Sequence, residues 1–155
     1  METLKEHLVG KLEFAKKAYL GDLNAMDEGQ LTSTSGGSSR TPADFTYEIV
    51  VINNRISKRM RGEDPGEFKF DGWVKAPEDF QSKDTIVAEL DKSVTEIIDA
   101  FAKVPDDEMF RKIETPSGET CPMDLAGFAA THMTYHDAQL NYIQAMKGDE
   151  EMHWN

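Results

Sequence analysis

The segment from Pro122 to Gly148 decides the fold, and it reads PMDLAGFAATHMTYHDAQLNYIQAMKG. Proline suits the first turn of a helix, and glycine is common just past a helix end. Between these two ends, the side chains expected to face the protein interior recur at steps of three or four: Leu125, Phe128, Ala129, His132, His136, Leu140 and Ile143. This spacing predicts a helix from Pro122 to Lys147 that packs one face against the rest of the protein.

Three earlier segments carry the same helical period. They span about 2–26, 41–61 and 82–103. The middle segment has the clearest ends, because Thr41-Pro42 is typical of a helix start and Gly62 follows a run of basic residues. Those basic residues are expected to form a solvated helix end and not an anion site.

The connections between these helices are long. Residues 27–40 are polar and rich in serine and glycine, which predicts a flexible loop. Residues 63–81 form a second loop, whose aromatic residues Phe68, Phe70 and Trp73 are expected to pin it to the helices. A small hairpin is predicted around Pro116-Ser-Gly118, and residues 149–155 form an acidic tail. Four long helices with such connections predict an all-α four-helix bundle, with 1–155 as a single domain.

The charge balance excludes several classes of partner. The chain has 155 residues, with 17 basic and 29 acidic side chains and a net charge of −12. Nucleic acids and anionic membranes both require a basic face, so neither is expected as a partner. The chain lacks a signal-peptide pattern and a run of about 18 apolar residues, and its single cysteine allows no internal disulfide. These features predict a cytoplasmic protein that acts on a small molecule or on another protein.

His132 and His136 are the most informative polar residues. They are four residues apart, so they lie one turn apart on the same side of the last helix. Both also continue its apolar stripe, where an unpaired imidazole is costly. One explanation is a divalent metal, which both imidazoles can reach. The other is a pair of core histidines that hydrogen-bond to carbonyl groups or to water, and the spacing alone leaves both open.

Glu48 is the best candidate for a third ligand. It lies on or beside the apolar stripe of the second helix, between Phe45 and Ile52. Two histidines and a carboxylate leave coordination positions open, as in catalytic zinc, nickel or non-haem iron sites. The alternative is a carboxylate at the bundle edge that pairs with Arg55, Lys11 or a protonated histidine.

Other polar residues carry weaker patterns. Asp137 is expected to project away from the histidine pair into solvent, and Gln139 to orient a ligand or to bond across helices. His7 has little support as a ligand, and His153 is expected to be exposed in the tail. Cys121 precedes the last helix and is interpreted as a capping-region residue, since no base lies near it in the sequence.

Four short stretches resemble the DinB-like superfamily, which includes YfiT-like metalloenzymes. The segment TPSGETCPMDL at 115–125 leads into HMTYHDAQ at 132–139, which resembles the H-x-x-x-H-x-x-Q helix of that family. TPADFTYE at 41–48 resembles the start of its second helix, and VPDDE at 104–108 also fits. The resemblance covers nearly the whole chain.

The resemblance implies an up-down-down-up four-helix bundle, commonly a homodimer, with a divalent metal between the second and fourth helices. Three histidines hold that metal in many members. His132 and His136 match two of them, and Glu48 stands where the third is expected, which is a departure. The implied ligand set is therefore Glu48, His132 and His136, with zinc, nickel, iron or manganese as the ion.

Two functions follow as expectations. Characterised relatives include metal-dependent thiol transferases and isomerases that use low-molecular-weight thiols such as bacillithiol or mycothiol. The first expectation is therefore a metal-dependent enzyme with thiol-dependent transferase or hydrolase-type chemistry on a small molecule. The second is a non-catalytic bundle with a degenerate metal site that binds a small molecule or a protein, and Glu48 favours it.

Overall fold

The computed structural model describes residues 2–67, 69 and 71–154. Within these residues, the long helices are α1 (Leu4–Ala25), α3 (Pro42–Met60), α4 (Lys83–Ala102) and α5 (Pro122–Met146), and α2 (Glu28–Thr32) is short. Two 3-10 turns lie at Glu78–Phe80 and Asp106–Glu108, and the strands β1 (Ile113–Thr115) and β2 (Gly118–Thr120) pair antiparallel. The predicted all-α bundle and the small hairpin are both confirmed.

The start of α3 shows why the sequence folds as it does locally. The Thr41 hydroxyl accepts a hydrogen bond from the Asp44 amide at 3.1 Å, and the Asp44 carboxylate accepts one from the Thr41 amide at 3.2 Å. A cap of this kind stabilises a helix by about 0.5–2 kcal/mol. Asp44 also accepts a hydrogen bond from the Ala76 amide at 2.8 Å, which ties the 63–81 connection to this helix end.

The connection at 27–40 contains a helix that the sequence analysis did not predict. Asp27 and Gln30 form a reciprocal cap, with the Asp27 carboxylate 2.7 Å from the Gln30 amide. Leu31, the single apolar side chain of α2, is fully buried in the core. One apolar residue carries no period, so the only signal for this turn was the Asp-x-x-Gln pattern.

Contacts at the helix ends give the directions of the helices. Lys83 at the start of α4 donates a hydrogen bond to the Asn24 carbonyl at the end of α1, so these two helices are antiparallel. The Asp22 carbonyl near the end of α1 accepts from the Gln144 side chain near the end of α5, so α1 and α5 are parallel. Phe45 of α3 contacts His136 of α5. Glu48, which comes later in α3, contacts His132, which comes earlier in α5.

The pairing with α5 makes α3 antiparallel to α5 and α1, and therefore parallel to α4. The bundle accordingly runs up, down, down and up through α1, α3, α4 and α5. The helix α5 packs against both α1 and α3, so it buries two faces and not one. This is why Ala126, Ala130 and Met133 are also buried, whereas Phe128, expected in the core, is half exposed.

The core lies between the four long helices. Its largest fully buried apolar side chains come from α1, α3, α4 and α5 and from α2: Leu12, Tyr19, Leu23, Leu31, Ile49, Ile86, Leu90, Ile97, Phe101, Met133 and Leu140. Each buried leucine or isoleucine contributes about 1.5–3 kcal/mol relative to an exposed one. None of the helices among the described residues combines the length and apolar character needed to cross a bilayer.

The C-terminal tail packs against α1. The Trp154 indole donates a hydrogen bond to the Asp22 carboxylate at 2.9 Å and meets the Phe14 ring edge-on. The His153 carbonyl oxygen packs closely on Gly21. A Cβ atom at position 21 would be only 2.0 Å from this oxygen, so the close contact requires glycine. His153, predicted to be exposed, is partly buried and lies 2.9 Å from the Asp149 carboxylate. Of the loop aromatics, Phe68 and Phe70 lie outside the described residues.

Candidate metal centre

Glu48 on α3 meets His132 and His136 on α5. The distance from Glu48 Oε1 is 3.4 Å to His132 Nε2 and 3.9 Å to His136 Nε2, and the two Nε2 atoms are 3.1 Å apart. Within residues 2–67, 69 and 71–154, these three form the one group of His, Cys, Asp or Glu side chains with ligand atoms spaced to hold an ion. Antiparallel packing of α3 and α5 brings them together from positions more than 80 residues apart.

The triangle of ligand atoms fits a divalent ion. A tetrahedral ion with ligands at about 2.0–2.1 Å separates neighbouring ligand atoms by roughly 3.3–3.4 Å. The observed separations of 3.1, 3.4 and 3.9 Å surround that value. The donor set of two imidazoles and one carboxylate suits zinc, nickel, iron and manganese. These three residues can therefore hold a metal ion.

His136 is held in the tautomer that a ligand needs. Its Nδ1 atom is 2.7 Å from Gln139 Oε1, and an amide oxygen only accepts, so Nδ1 carries the proton. The Nε2 lone pair is then directed at Glu48 and His132, the arrangement found for metal-bound histidines. The ring is almost fully buried, stacked on Phe45 at 5.2 Å with Tyr135 against its other side.

His132 is less completely supported. Phe128 stacks on its ring at 5.4 Å, which explains why this half-exposed phenylalanine follows the histidine face. Its Nε2 atom faces Glu48, but its Nδ1 atom is buried without a hydrogen-bond partner among the described residues. His132 therefore has its ligand atom in position without the second hydrogen bond that His136 receives from Gln139.

Glu48 is oriented by a residue that the sequence analysis did not consider. Its second carboxylate oxygen accepts a hydrogen bond from Arg40, in the connection just before α3. The Arg40 guanidinium in turn lies over the Trp73 ring, 4.7 Å from its centroid. Arg55, one of the predicted partners, instead donates to the carbonyl oxygens of Pro65 and Gly66. Arg40 thus leaves Oε1 of Glu48 to face the histidines.

Burial keeps both imidazoles neutral. It lowers the pKa of His132, and it lowers the pKa of His136 to about 4, where the Gln139 hydrogen bond only partly offsets it. Neutral imidazoles are the form that binds metal, so no proton has to be displaced near pH 7. The alternative of Glu48 paired with a protonated histidine is disfavoured for the same reason.

A cavity of about 690 Å³ lies beside the three residues. Its wall includes Arg40, which holds Glu48, and Phe45, Tyr135 and Gln139, which all contact His136. This volume is within the range of pockets that hold small organic ligands. None of the three candidate ligands lines the cavity itself, so the wall residues that contact Glu48 and His136 lie between a ligand in the cavity and the candidate metal position.

Comparison with known proteins agrees with the fold. A sequence model of the DinB superfamily matches residues 11–140, a range that includes Glu48, His132 and His136. The chain belongs to the DinB superfamily. A crystal structure of a conserved protein from Enterococcus faecalis is similar over 94% of this chain and 98% of that one, with a TM-score of 0.75 and 11% identity. At that identity the likeness shows the fold alone, and no functionally curated protein matches the chain.

A second polar cluster of this DinB-superfamily chain lies on the opposite side of α5. Asp137 was predicted to be solvated, and this is wrong, because its carboxyl group is buried against Asp22 of α1. Burial, together with the neighbouring Asp22, raises the pKa of Asp137 to about 8, so the Asp137 carboxyl group carries a proton near pH 7. Asn141 and Trp154 donate to Asp22. The error arose because α5 has a second buried face.

Cys121 is not part of the metal centre. It is the N-cap residue of α5, with its thiol buried and no side-chain capping bond, and burial raises the pKa of the thiol. It precedes His132 by eleven residues, or about 16 Å along the helix axis. The interpretation as a capping-region residue and not a nucleophile agrees with this position.

Proposed function

We propose that this DinB-superfamily chain is a metal-dependent enzyme that acts on a small molecule in the cavity between α3 and α5. The observation that carries the proposal is the convergence of Glu48 Oε1 with two histidine Nε2 atoms, one of which has its tautomer set by Gln139. The neutral state of both imidazoles supports it further.

The residues of the chain would divide the work as follows. Glu48 and the two histidines hold the ion, and a divalent ion bound this way acts as a Lewis acid that lowers the pKa of a water or thiol. Gln139 keeps the His136 lone pair directed at the centre. Arg40 fixes the second oxygen of Glu48 and places a positive charge at the cavity wall.

The nucleophile would come from outside the chain. The single cysteine, Cys121, is remote from the centre and its thiol pKa is raised. A thiol reaction at this site therefore needs a low-molecular-weight thiol, whose sulfur attacks an electrophilic carbon while the leaving group departs with the bonding electrons. Without such a thiol, water would take its place, which gives the hydrolase-type reaction.

Metal binding is the first test. Untagged protein is stripped with EDTA, reloaded with zinc, nickel, iron(II) or manganese, and analysed for metal by mass spectrometry and for thermal stability. We expect about one ion per chain and a higher Tm with at least one metal. His132→Ala should lose both effects, whereas His7→Ala, which alters an exposed histidine of α1, should keep them. Failure of every metal to bind the wild-type protein would overturn the proposal.

Activity is the second test. The metal-loaded protein is mixed with bacillithiol, mycothiol or cysteine and 1-chloro-2,4-dinitrobenzene, from which a thiol displaces chloride to give a coloured thioether. Hydrolysis of 4-nitrophenyl acetate is measured in parallel without thiol. A rate above background in one assay that His132→Ala loses and His7→Ala keeps supports the enzyme. Equal rates in the two variants would assign the signal to a contaminant.

The Arg40–Glu48 pair favours a second candidate, a non-catalytic small-molecule binder. This pair already gives the carboxylate a partner without any ion. Under that function, a ligand of the cavity would bind with the same affinity to wild-type protein and to a His132→Ala/His136→Ala variant. A large loss of affinity in that variant only when metal is present would favour the enzyme.

The expected homodimer stays a prediction. Phe128, Tyr135 and Tyr142 are exposed on α5 and follow one another at steps of seven residues, close to two helical turns. A second copy of the chain would cover this aromatic stripe. Light scattering on the purified protein measures the mass and decides between monomer and dimer.

A further inference from the structure

The cavity beside the candidate centre has an apolar wall. Its largest side chains are aromatic or long and apolar: Phe45, Trp73, Tyr135, Tyr142, Ile143 and Met146. Three of these come from the last two turns of α5, and Trp73 comes from the 63–81 connection. Such a wall favours a ligand with a flat or apolar body, because stacking and burial of apolar surface both stabilise the complex.

The charge of the wall is opposite to that of the protein. The chain as a whole carries −12, yet the cavity is lined by one formally charged side chain, the cation Arg40, and by no carboxylate. Arg40 is paired with Glu48, but it is the one charged side chain that this wall presents to a ligand, so the wall favours a negative group over a neutral one. The nearest carboxylate, Glu48, lies behind Arg40 and does not line the cavity.

Arg40 has donors left for a ligand. A guanidinium carries five N–H groups, and in the described part of the chain only Nη1 donates a hydrogen bond, to Glu48. Stacking on Trp73 fixes the plane of the group, and this reduces the entropy lost when an anion binds. Ser35, which lines the same cavity, has a buried hydroxyl without a partner among the described residues.

We propose that this cavity binds a small organic anion, with a carboxylate on Arg40 and the Ser35 hydroxyl and an aromatic or apolar body against Tyr142 and Met146. As an assignment of substrate class, this rests on the function proposed above. As an assignment of a binding site, it does not, because no atom of the argument belongs to a metal ion.

The test compares two probes of similar size that differ in charge. Calorimetry at about 0.15 M salt measures the binding of 2-naphthaleneacetate and its neutral analogue 2-naphthaleneethanol to metal-free protein, since this salt largely screens the distant charges. We expect the anion to bind at least about tenfold more tightly, the factor for one hydrogen bond to a charged group. In Arg40→Gln this preference should disappear, and Arg59→Gln, which removes an arginine outside the cavity, should keep it.

A filled cavity locates the site. Ala138 lines the cavity from an exposed position of α5, so Ala138→Trp should fill it and abolish binding of 2-naphthaleneacetate. Ala88→Trp, an exposed position of α4 away from the cavity, is the matched control and should bind as the wild type does. Circular dichroism checks that each variant is folded, and the two pairs of variant and control keep the test valid if one variant is not.

Three results would overturn this proposal: equal affinity for the two probes, an anion preference that survives Arg40→Gln, or unchanged binding in Ala138→Trp. Metal content is measured separately on the same preparation. Anion binding without metal binding would refute the proposed enzyme and leave this inference standing. Metal binding without anion binding would refute this inference and leave the proposed enzyme standing.

Discussion

Two adjacent residues of α5, His136 and Asp137, belong to two buried polar clusters of opposite character. The first, the α3-side cluster, comprises Glu48, His132 and His136 and opens beside a cavity. The second, the α1-side cluster, comprises Asp22, Asp137, Asn141, Gln144 and Trp154 and is covered by the C-terminal tail. These two neighbouring positions of α5 therefore face different surroundings, His136 a candidate metal site and Asp137 a packing contact.

The difference shows that burial of polar groups does not by itself mark a functional site. In the α1-side cluster the carboxyl groups face each other, and amide and indole donors surround them. In the α3-side cluster three metal-ligand atoms point at one position. A buried polar atom without a partner among the described residues occurs in both clusters, Nδ1 of His132 in one and Oδ1 of Asp137 in the other, so it does not distinguish them. The useful criteria are therefore convergence of ligand atoms and a cavity whose wall contacts the ligand residues. The following predictions test whether the two clusters are as separate as their geometry implies.

The largest expected effect is on metal affinity. His136→Ala should weaken zinc binding by more than about 100-fold, because removal of a ligand exceeds the 10–100-fold typical of residues that only position one. Gln139→Ala should fall inside that 10–100-fold range. Competition with a coloured chelator measures both. Asp137→Asn, next to His136 in the α1-side cluster, should change zinc affinity less than threefold. A loss as large as that of Gln139→Ala would show that the two clusters are energetically coupled.

The second effect is on folding. Asp22→Ala should lower the free energy of unfolding by about 2 kcal/mol, because it leaves the partly buried donors of Asn141 and Trp154 unpaired. Urea unfolding of metal-free protein measures it. Asp91→Ala removes a carboxylate that pairs with Lys16 at the surface, so it should cost less than about 1 kcal/mol. Similar losses in both variants would show that the α1-side cluster contributes no more than a surface ion pair.

The third effect distinguishes the two clusters by the pH dependence of the free energy of unfolding. The folded-state pKa of Asp137, about 8, is above its ordinary value of 3.8, so its stabilisation is complete below about pH 4 and is lost as the pH rises toward 8. The pKa of His136, about 4, is below its ordinary value of 6.5, so its contribution is present above pH 6.5 and is lost as the pH falls toward 4.

The two slopes oppose each other between pH 4 and 6.5, and only that of Asp137 remains above pH 6.5. We expect the free energy of unfolding of metal-free protein to fall by about 1–2 kcal/mol between pH 6.5 and 8, given about 1.4 kcal/mol per pH unit and proton. Asp137→Asn should remove this fall. A fall that persists in that variant would assign the titration to another group.

The smallest effect concerns the tail over the α1-side cluster. Gly21→Ala should lower stability by about 1 kcal/mol, because its methyl group displaces the His153 carbonyl and with it the Trp154–Asp22 hydrogen bond. Gly10→Ala on the same helix meets no atom within 4 Å and should stabilise by about 0.5–1 kcal/mol through helix propensity. Thermal unfolding compares them, and equal stabilisation in both would mean that the tail does not hold this position.

Much of the fold could be predicted from the sequence because its signals are local. The Thr41-Pro42 cap, the period of four long helices and the turn at Pro116-Ser-Gly118 each involve residues within a few positions of one another. The pair His132 and His136 is local in the same sense, because one helical turn places the two side chains side by side. The structure brings Glu48 to them, as the resemblance implied.

What escaped prediction depends on contacts across the chain. Arg40 became the partner of Glu48, and not Arg55 or Lys11, because the segment before α3 places its guanidinium against the Glu48 carboxylate. Asp137 is buried because Asp22, 115 positions earlier, lies opposite it on α1. Both outcomes depend on where neighbouring helices lie, and the local period of one helix carries no such information.

The sequence by itself determined the four long helices, the Thr41-Pro42 cap, the hairpin and the histidine pair, since these follow from backbone sterics and from side-chain spacing along one helix. The tertiary structure alone decided that α5 has two buried faces, that the tail closes over one of them, and that a cavity with a single positive charge adjoins the other. The physical reason is that burial is a property of the assembled bundle: a side chain is inside or outside only once the helices on both sides of it are in place.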